Sequence, residues 1–408
     1  MKKSILAAVS IFFVFVVIFL LSIKNLPTEN SVTFWTLQMG DFEPYINEVI
    51  ENFEEQNPKI RVNWVDVPFS EGEKRTLAAI LSDNPPDLIN LNPDFSAILA
   101  QKGALEEINP DVAEDFLPEI VKSLEYNGKL YAIPWYATSA ITIYNKELYT
   151  KAGYVTPPAT YDRLAAIAEV IKGKTGAYPF MPTLTENNTL LKVLNKFGIN
   201  SWKNINNARA IDVFRTYKKL YDKNLIPKEI INQTQREALE KYMSGQIVFF
   251  ESGANFLNLI QENAPSIYEV TDVAPQIKGR LGQNDFSLMN LVIPLKSNNK
   301  KNALKFALFL TNEKNQLQLA KLTNIISPNK KTLKNAFYTR YRKDDLMSKA
   351  RYISAKQLRE IHPVLKQIKG QKEINLLLST AIQEILINNA DIKETLDEVA
   401  VKWENLAE

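Results

Sequence analysis

Apolar residues along the chain alternate between short strand-like runs and longer stretches of helical period. Residues 32–36 form a β-rich run and 60–64 alternate as a strand. Between them Ile46, Val49, Ile50 and Phe53 share one helical face, with Pro44 in the first turn and Asn57-Pro58 as the stop. Ser70-Glu71-Gly72-Glu73 is a capping box that opens a second helix, with Leu77, Ile80 and Leu81 inward until Asn84-Pro85-Pro86 breaks it. A third strand follows at 87–91. This β-α-β-α-β order predicts a parallel sheet covered by helices.

The pattern then changes. A helix from about Phe95 ends near Gly103, and Asn127-Gly128 marks a turn before 129–133. Residues 139–144 form a further strand. Leu148 and Tyr149 lie in a helix closed by Gly153. Thr160 leads a helix over 161–172, after which Gly173-Lys174-Thr175 reads as a helix-ending turn, since Ala168 stands where a phosphate loop needs its first glycine. Helices are expected at 206–224 and 233–244 and a buried strand at 247–250. Ser252-Gly253 opens a helix carrying Phe256, Leu259 and Ile260. Residues 288–295 are β-rich, two helices span about 300–323, and the helical tail from about 344 to 406 packs Leu376, Leu377, Ile382, Ile385 and Leu386 inward. No repeat or low-complexity linker interrupts the chain. Two lobes without a linker imply several crossings between them, the physical basis of a hinge.

The start of the chain is different in kind. Lys2 and Lys3 precede an apolar run over 5–23 that ends at Lys24-Asn25. As a helix it spans roughly 28 Å, near the thickness of a bilayer core. No Ala-x-Ala pattern precedes a cut, so the run reads as a membrane anchor in preference to a cleaved signal peptide. The lysines favour the cytoplasmic side, which exports everything after it.

Composition narrows the function. The chain has 408 residues, too many for one core. Its 49 basic and 46 acidic residues leave a net charge of +3, too balanced for a nucleic-acid binder. It has no cysteine, which excludes disulfides, thiol catalysis, thiolate metal sites and lipid attachment through an N-terminal Cys. The single histidine, His362 before Pro363, builds no zinc cluster, and tyrosines at 126, 131, 136, 144, 149 and 154 are spaced for packing and not for iron. No G-x-S-x-G elbow occurs. Neither an enzyme nor a cofactor or metal is expected.

One block carries a resemblance. Tyr126-Asn127-Gly128-Lys129-Leu130-Tyr131-Ala132-Ile133-Pro134 runs to Tyr144-Asn145-Lys146, then Ala152-Gly153, then Pro157-Pro158-Ala159-Thr160-Tyr161-Asp162. Tyr242-Met243-Ser244-Gly245 and the stretch from Ser297 to Leu310 follow in the same order. Together they resemble the extracellular solute-binding proteins of carbohydrate importers, the group that includes maltose-binding protein. Tyr161 stands where that family usually has Trp. The missing lipidation cysteine points to a Gram-negative-type periplasm, or to an envelope where a helix replaces the lipid.

The resemblance implies a type II periplasmic binding protein fold, each lobe an α/β layer with a mostly parallel sheet, a multi-strand hinge and a helical C-terminal region. The segments expected are 1–27 as signal peptide or anchor, 30–135 with 275–327 as the N-terminal lobe, and 136–274 with 328–408 as the C-terminal lobe. It also implies a monomeric subunit that hands a small solute, a sugar by the weight of the family, to the membrane subunits of an ATP-driven (ABC) permease, with no nucleic-acid partner. Sugars need flat aromatic rings and paired donors and acceptors. Candidates at strand ends are Trp35, Gln38, Asn92, Asp94, Trp135, Tyr136, Glu251, Asn255 and Asn290. Each also has a packing or capping reading. An anchored sensor and a carboxylate-dependent glycosidase are the competing functions.

Overall fold

A computed structural model describes residues 30–68, 71–186, 189–323, 325–360 and 370–407. The apolar run at 5–23, Ser70 of the capping box and His362 lie outside them. Among the described residues no helix is long and apolar enough to cross a membrane.

The chain folds into two compact units, each assembled from separate segments. Of the described residues, the first takes those up to Leu91, Lys102–Glu106 and Leu291–Phe309; the second takes Asn92–Gln101, those from Glu107 to Asn290 and those from Leu310 onward.

In the first unit β1 (Ser31–Leu37) lies between β2 (Arg61–Val67) and β3 (Leu88–Leu91), parallel to both. Phe34 stands opposite Trp64 on one side and Leu88 on the other. The helix Glu43–Gln56 carries Pro44 in its first turn, stops at Asn57 and buries Tyr45, Ile46, Val49 and Phe53. The β-α-β-α-β expectation therefore holds, because the helical and strand periods are both strong here. Phe306 of the helix Lys300–Leu310 meets Phe34 and Phe53 edge-on, at 5.4 and 4.9 Å between centroids. Edge-on geometry sets the positive ring edge against the negative face and adds to the area buried.

The helix Gly72–Leu81 corrects the expected face. Gly72, Thr76 and Ile80 are its buried stripe, while Leu77 and Leu81 are 38% and 71% exposed. The cause is a close approach to β1: a Cβ on Gly72 would lie 2.7 Å from the Leu37 side chain. That contact turns positions 72, 76 and 80 inward, and Leu81 follows 100° further round.

In the second unit a hairpin joins β4 (Glu125–Tyr126) to β5 (Lys129–Leu130). Both turn residues, Asn127 and Gly128, have φ near the left-handed region, +50° and +75°. Such a two-residue turn matches the twist of its strands and favours Asn-Gly. The long β6 (Ile133–Asn145) runs antiparallel to β8 (Ile247–Gly253) and to β9 (Thr271–Pro275), and β7 (Tyr178–Phe180) joins β8 in parallel. The sheet here is thus mixed. β10 (Phe286–Val292) carries the chain towards the segment that belongs to the first unit.

Helices cover this sheet. Thr160 caps Tyr161–Thr175 by accepting the Arg163 N–H, and the helix runs through Gly173-Lys174-Thr175 to end at Gly176, φ +78°. β8 likewise continues through Ser252-Gly253, so the next helix begins only at Phe256. The C-terminal helix Gln371–Ile387 buries Ile374, Leu378, Ala381, Ile382, Ile385 and Leu386, whereas Leu376 is 69% exposed. It shares one core with Phe214, Tyr242 and Trp403. Each fully buried Ile or Leu there contributes about 1.5–3 kcal/mol relative to exposure.

Candidate ligand-binding site

The second unit contains a cavity of about 480 Å³, within the range of small-molecule sites. Its wall is built from β8, from the start of the helix Tyr161–Thr175, from one face of the helix Thr189–Lys196 and from the segment between β9 and β10. Phe180, Phe256 and Phe286 are partly exposed apolar walls; Thr183, Gln235 and Ser287 are among the polar ones.

A hydrogen-bonded group of four side chains forms the polar side. Glu251, near the end of β8, accepts from the Tyr161 hydroxyl at 2.7 Å and from the Ile277 N–H at 2.8 Å. Lys196 is 3% exposed and donates to the Tyr161 oxygen at 3.4 Å, to the Ile277 carbonyl at 3.2 Å and to Asp285 at 2.9 Å. All three ammonium protons are therefore used. Because Lys196 points a donor at the tyrosine oxygen, the tyrosine proton is directed to Glu251.

Electrostatics follow from this arrangement. Burial opposes the charge on Lys196, yet Glu251 and Asp285 outweigh it and hold its pKa above the ordinary lysine value. Burial first, and the negative Glu251 second, push the Tyr161 hydroxyl far up, and the same causes raise Tyr217. The segment carrying Ile277 and Asp285 is pressed against the lysine helix. Leu281 N–H donates to the Lys196 carbonyl at 3.1 Å, and a Cβ on Gly279 would collide with that carbonyl, so only glycine fits. Gln235, at the start of its helix, donates from its backbone N–H to Glu186 at 2.8 Å and from its side chain to the Glu251 carbonyl at 2.6 Å.

Of the residues expected to bind, Glu251 and Asn255 line this cavity. Asn255 precedes the helix Phe256–Asn263 and makes no side-chain cap. In the first unit Trp35 is half-buried beneath the Arg75 guanidinium, 5.7 Å from its ring, and Gln38 is exposed with φ +53°. Asn92 caps the helix Pro93–Gln101, its side-chain oxygen accepting the Phe95 N–H at 2.8 Å. Asp94 is exposed and accepts from Gln371 at 3.1 Å. Trp135 is fully buried, its carbonyl accepting from Gln316 at 2.7 Å, with Tyr136 edge-on to it. Asn290 is fully buried and donates to Ser96 at 2.7 Å.

Sequence reasoning missed Tyr161, Lys196 and Asp285 as site residues. One signal was available: Lys192 and Lys196 stand four apart in an otherwise largely apolar helix, an unusual stripe for a buried face. Among the described residues no cluster of three or more His, Cys, Asp or Glu side chains is placed to hold a metal.

Residues 48–344, well over half the chain, match the family of bacterial extracellular solute-binding proteins. The chain belongs to that family. This solute-binding protein is 24% identical over 377 residues to a candidate binding protein of Brucella abortus, covering 88% of this chain and 89% of that one. It is 23% identical over 234 residues to a diacetylchitobiose-binding protein of Streptomyces coelicolor, covering 53% and 54%. Its structure superposes on that of a candidate oligosaccharide periplasmic-binding protein of Synechococcus sp. MITs9220 with a TM-score of 0.84 and 28% identity, over 92% of this chain and 98% of the other. The solute-binding protein thus has the α/β, two-lobed periplasmic binding fold, and its family is extracytoplasmic.

Proposed function

We propose that this protein is the extracytoplasmic substrate-binding subunit of an ABC importer, and that it captures a sugar or oligosaccharide and delivers it to a permease. The observation that carries the reading is the cavity in the second unit, where partly exposed phenylalanines adjoin the Glu251, Gln235 and Asn255 side chains. Aromatic faces beside hydrogen-bonding groups suit the C–H faces and hydroxyls of a saccharide. The sugar-binding names of the Streptomyces and Synechococcus relatives support the same class.

On this reading ligand shifts a hinge equilibrium between an open and a closed form. Glu251 and Asn255 are the primary contacts. Residues 5–23 tether the protein to the membrane, it acts as a monomer, and it performs no chemistry on its ligand. Its melting temperature, measured against a panel of mono- and oligosaccharides, is expected to rise for the true ligand, since binding at 100 times Kd adds about 2.7 kcal/mol. A folded protein that no member of a broad panel stabilises sinks the proposal. Native mass spectrometry of the purified protein then identifies any ligand that travels with it.

A further inference from the structure

Resting on the solute-binding reading, we infer that the saccharide taken by this cavity carries a carboxylate, as a uronic acid does, and that Lys192 is the residue that selects it.

Five charged side chains line the cavity: Glu186, Lys192, Lys196, Glu251 and Asp285. The protein itself answers four of them. Lys196 and Asp285 pair at 2.9 Å, Glu251 accepts from Tyr161 and Ile277, and Glu186 accepts the first N–H of the helix Gln235–Met243. Lys192 alone among them has no hydrogen bond, ion pair or ring contact among the described residues. Its direction is fixed by the helix that carries it. Thr189, Lys192, Val193 and Lys196 all line the cavity, and their spacing of three, four and seven residues is one helical face. Lys192 is half-buried on that face, not on the solvent side.

An unpaired ammonium in that position is unfavourable without a ligand. Like charges four residues apart on a helix repel, and Lys196 is the residue four further on. Asp285 is already committed to Lys196 and offers Lys192 no relief. A carboxylate on the ligand supplies the missing counter-charge, and partial burial makes that charge-assisted hydrogen bond stronger than one in open water. The remaining polar groups, Glu251, Gln235 and Asn255, serve the hydroxyls. One uncommitted lysine and no arginine at this wall fit a single carboxylate and not a multiply charged phosphate.

The experiment is calorimetric titration of the full chain with matched pairs, D-glucuronate against D-glucose and D-galacturonate against D-galactose, as monomers and as short oligomers. The wild type is expected to bind an acid at least about 10-fold more tightly than its neutral partner. Lys192→Gln is expected to erase that preference and, by removing the repulsion with Lys196, to raise the unliganded melting temperature slightly, while Lys192→Arg keeps the preference. Raising the salt concentration should weaken the acid and not the neutral sugar. Neutral sugars bound as tightly as their acids, or a preference that survives Lys192→Gln, overturn this inference and leave the solute-binding reading standing. Failure of every acid and neutral member to bind overturns both.

Discussion

Lys196 and Asp285 form an ion pair of 2.9 Å in which the lysine side chain is 4% exposed and the aspartate 25%. Removing one partner of a buried pair strands the other charge, at a cost of about 3–5 kcal/mol when both are fully buried. The partial exposure of Asp285 lowers this, so Lys196→Met is expected to cost about 2–3 kcal/mol in urea unfolding. Asp285→Asn in the same background should recover part of it, and the double-mutant cycle measures how much. Additive single-mutant effects would show that the pair is not coupled.

The same lysine sets an alkaline limit. An unfolded lysine loses its proton near 10.5, while folded Lys196 holds it to higher pH. Its stabilising effect is therefore whole below pH 10.5 and is lost as pH rises through the raised folded value. Tyr161 and Tyr217 pull in the same direction, because their unfolded forms ionise near 10.0 while burial keeps the folded forms neutral. The wild-type melting temperature should fall steeply above that range. The gap between wild type and Lys196→Met should narrow as pH rises above 10.5, which melting scans across pH 8–12 would reveal. A gap that widens there contradicts the sign.

Tyr161→Phe separates stability from recognition. It deletes the hydroxyl that donates to Glu251 and accepts from Lys196. The loss of a buried bond of this kind costs about 1–3 kcal/mol. The larger expected effect is on ligand, since Glu251 loses the donor that orients it. The ligand-induced rise in melting temperature should shrink by more than the unliganded value falls. Asn255→Ala, at an exposed residue with no side-chain cap, should leave the unliganded melting temperature within the scatter of surface changes, about 0.5 kcal/mol, and reduce only the ligand response.

The corrected face of the helix Gly72–Leu81 gives a clean contrast. Ile80 is 5% exposed and Leu81 71%. Ile80→Ala should cost about 2–4 kcal/mol, and Leu81→Ala no more than about 0.5. Comparable losses for both in urea melts would restore the face expected from the pattern.

That helix also shows where the sequence stopped being legible. Strand and helix order in the first unit was readable because period, caps and breakers agree there. Apolar residues on two faces, Ile80 and Leu81, leave the inward face undecided until Gly72 meets Leu37. The continuation of β8 past Phe250 was hidden because Ser252-Gly253 is a common helix entry, and its pairing with Ala140 and Ile141 extends it instead. Glu251 and Asn255 were found in the cavity because they lie at or just after a strand end, a local signal. Tyr161, Lys196 and Asp285 come together only through tertiary contact, across more than a hundred residues of chain. Tyr161 was visible in the sequence, but as a variation in a helix start and not as a partner of Glu251.

The three committed protons of Lys196 have a consequence for covalent chemistry. An amine acts as a nucleophile only when it can present a lone pair, and this one is sealed from solvent with each N–H already engaged. Of the two lysines that line the cavity, only Lys192 is open to an acylating reagent. A reactive sugar analogue that enters should thus mark a single site, four residues from a twin it leaves untouched.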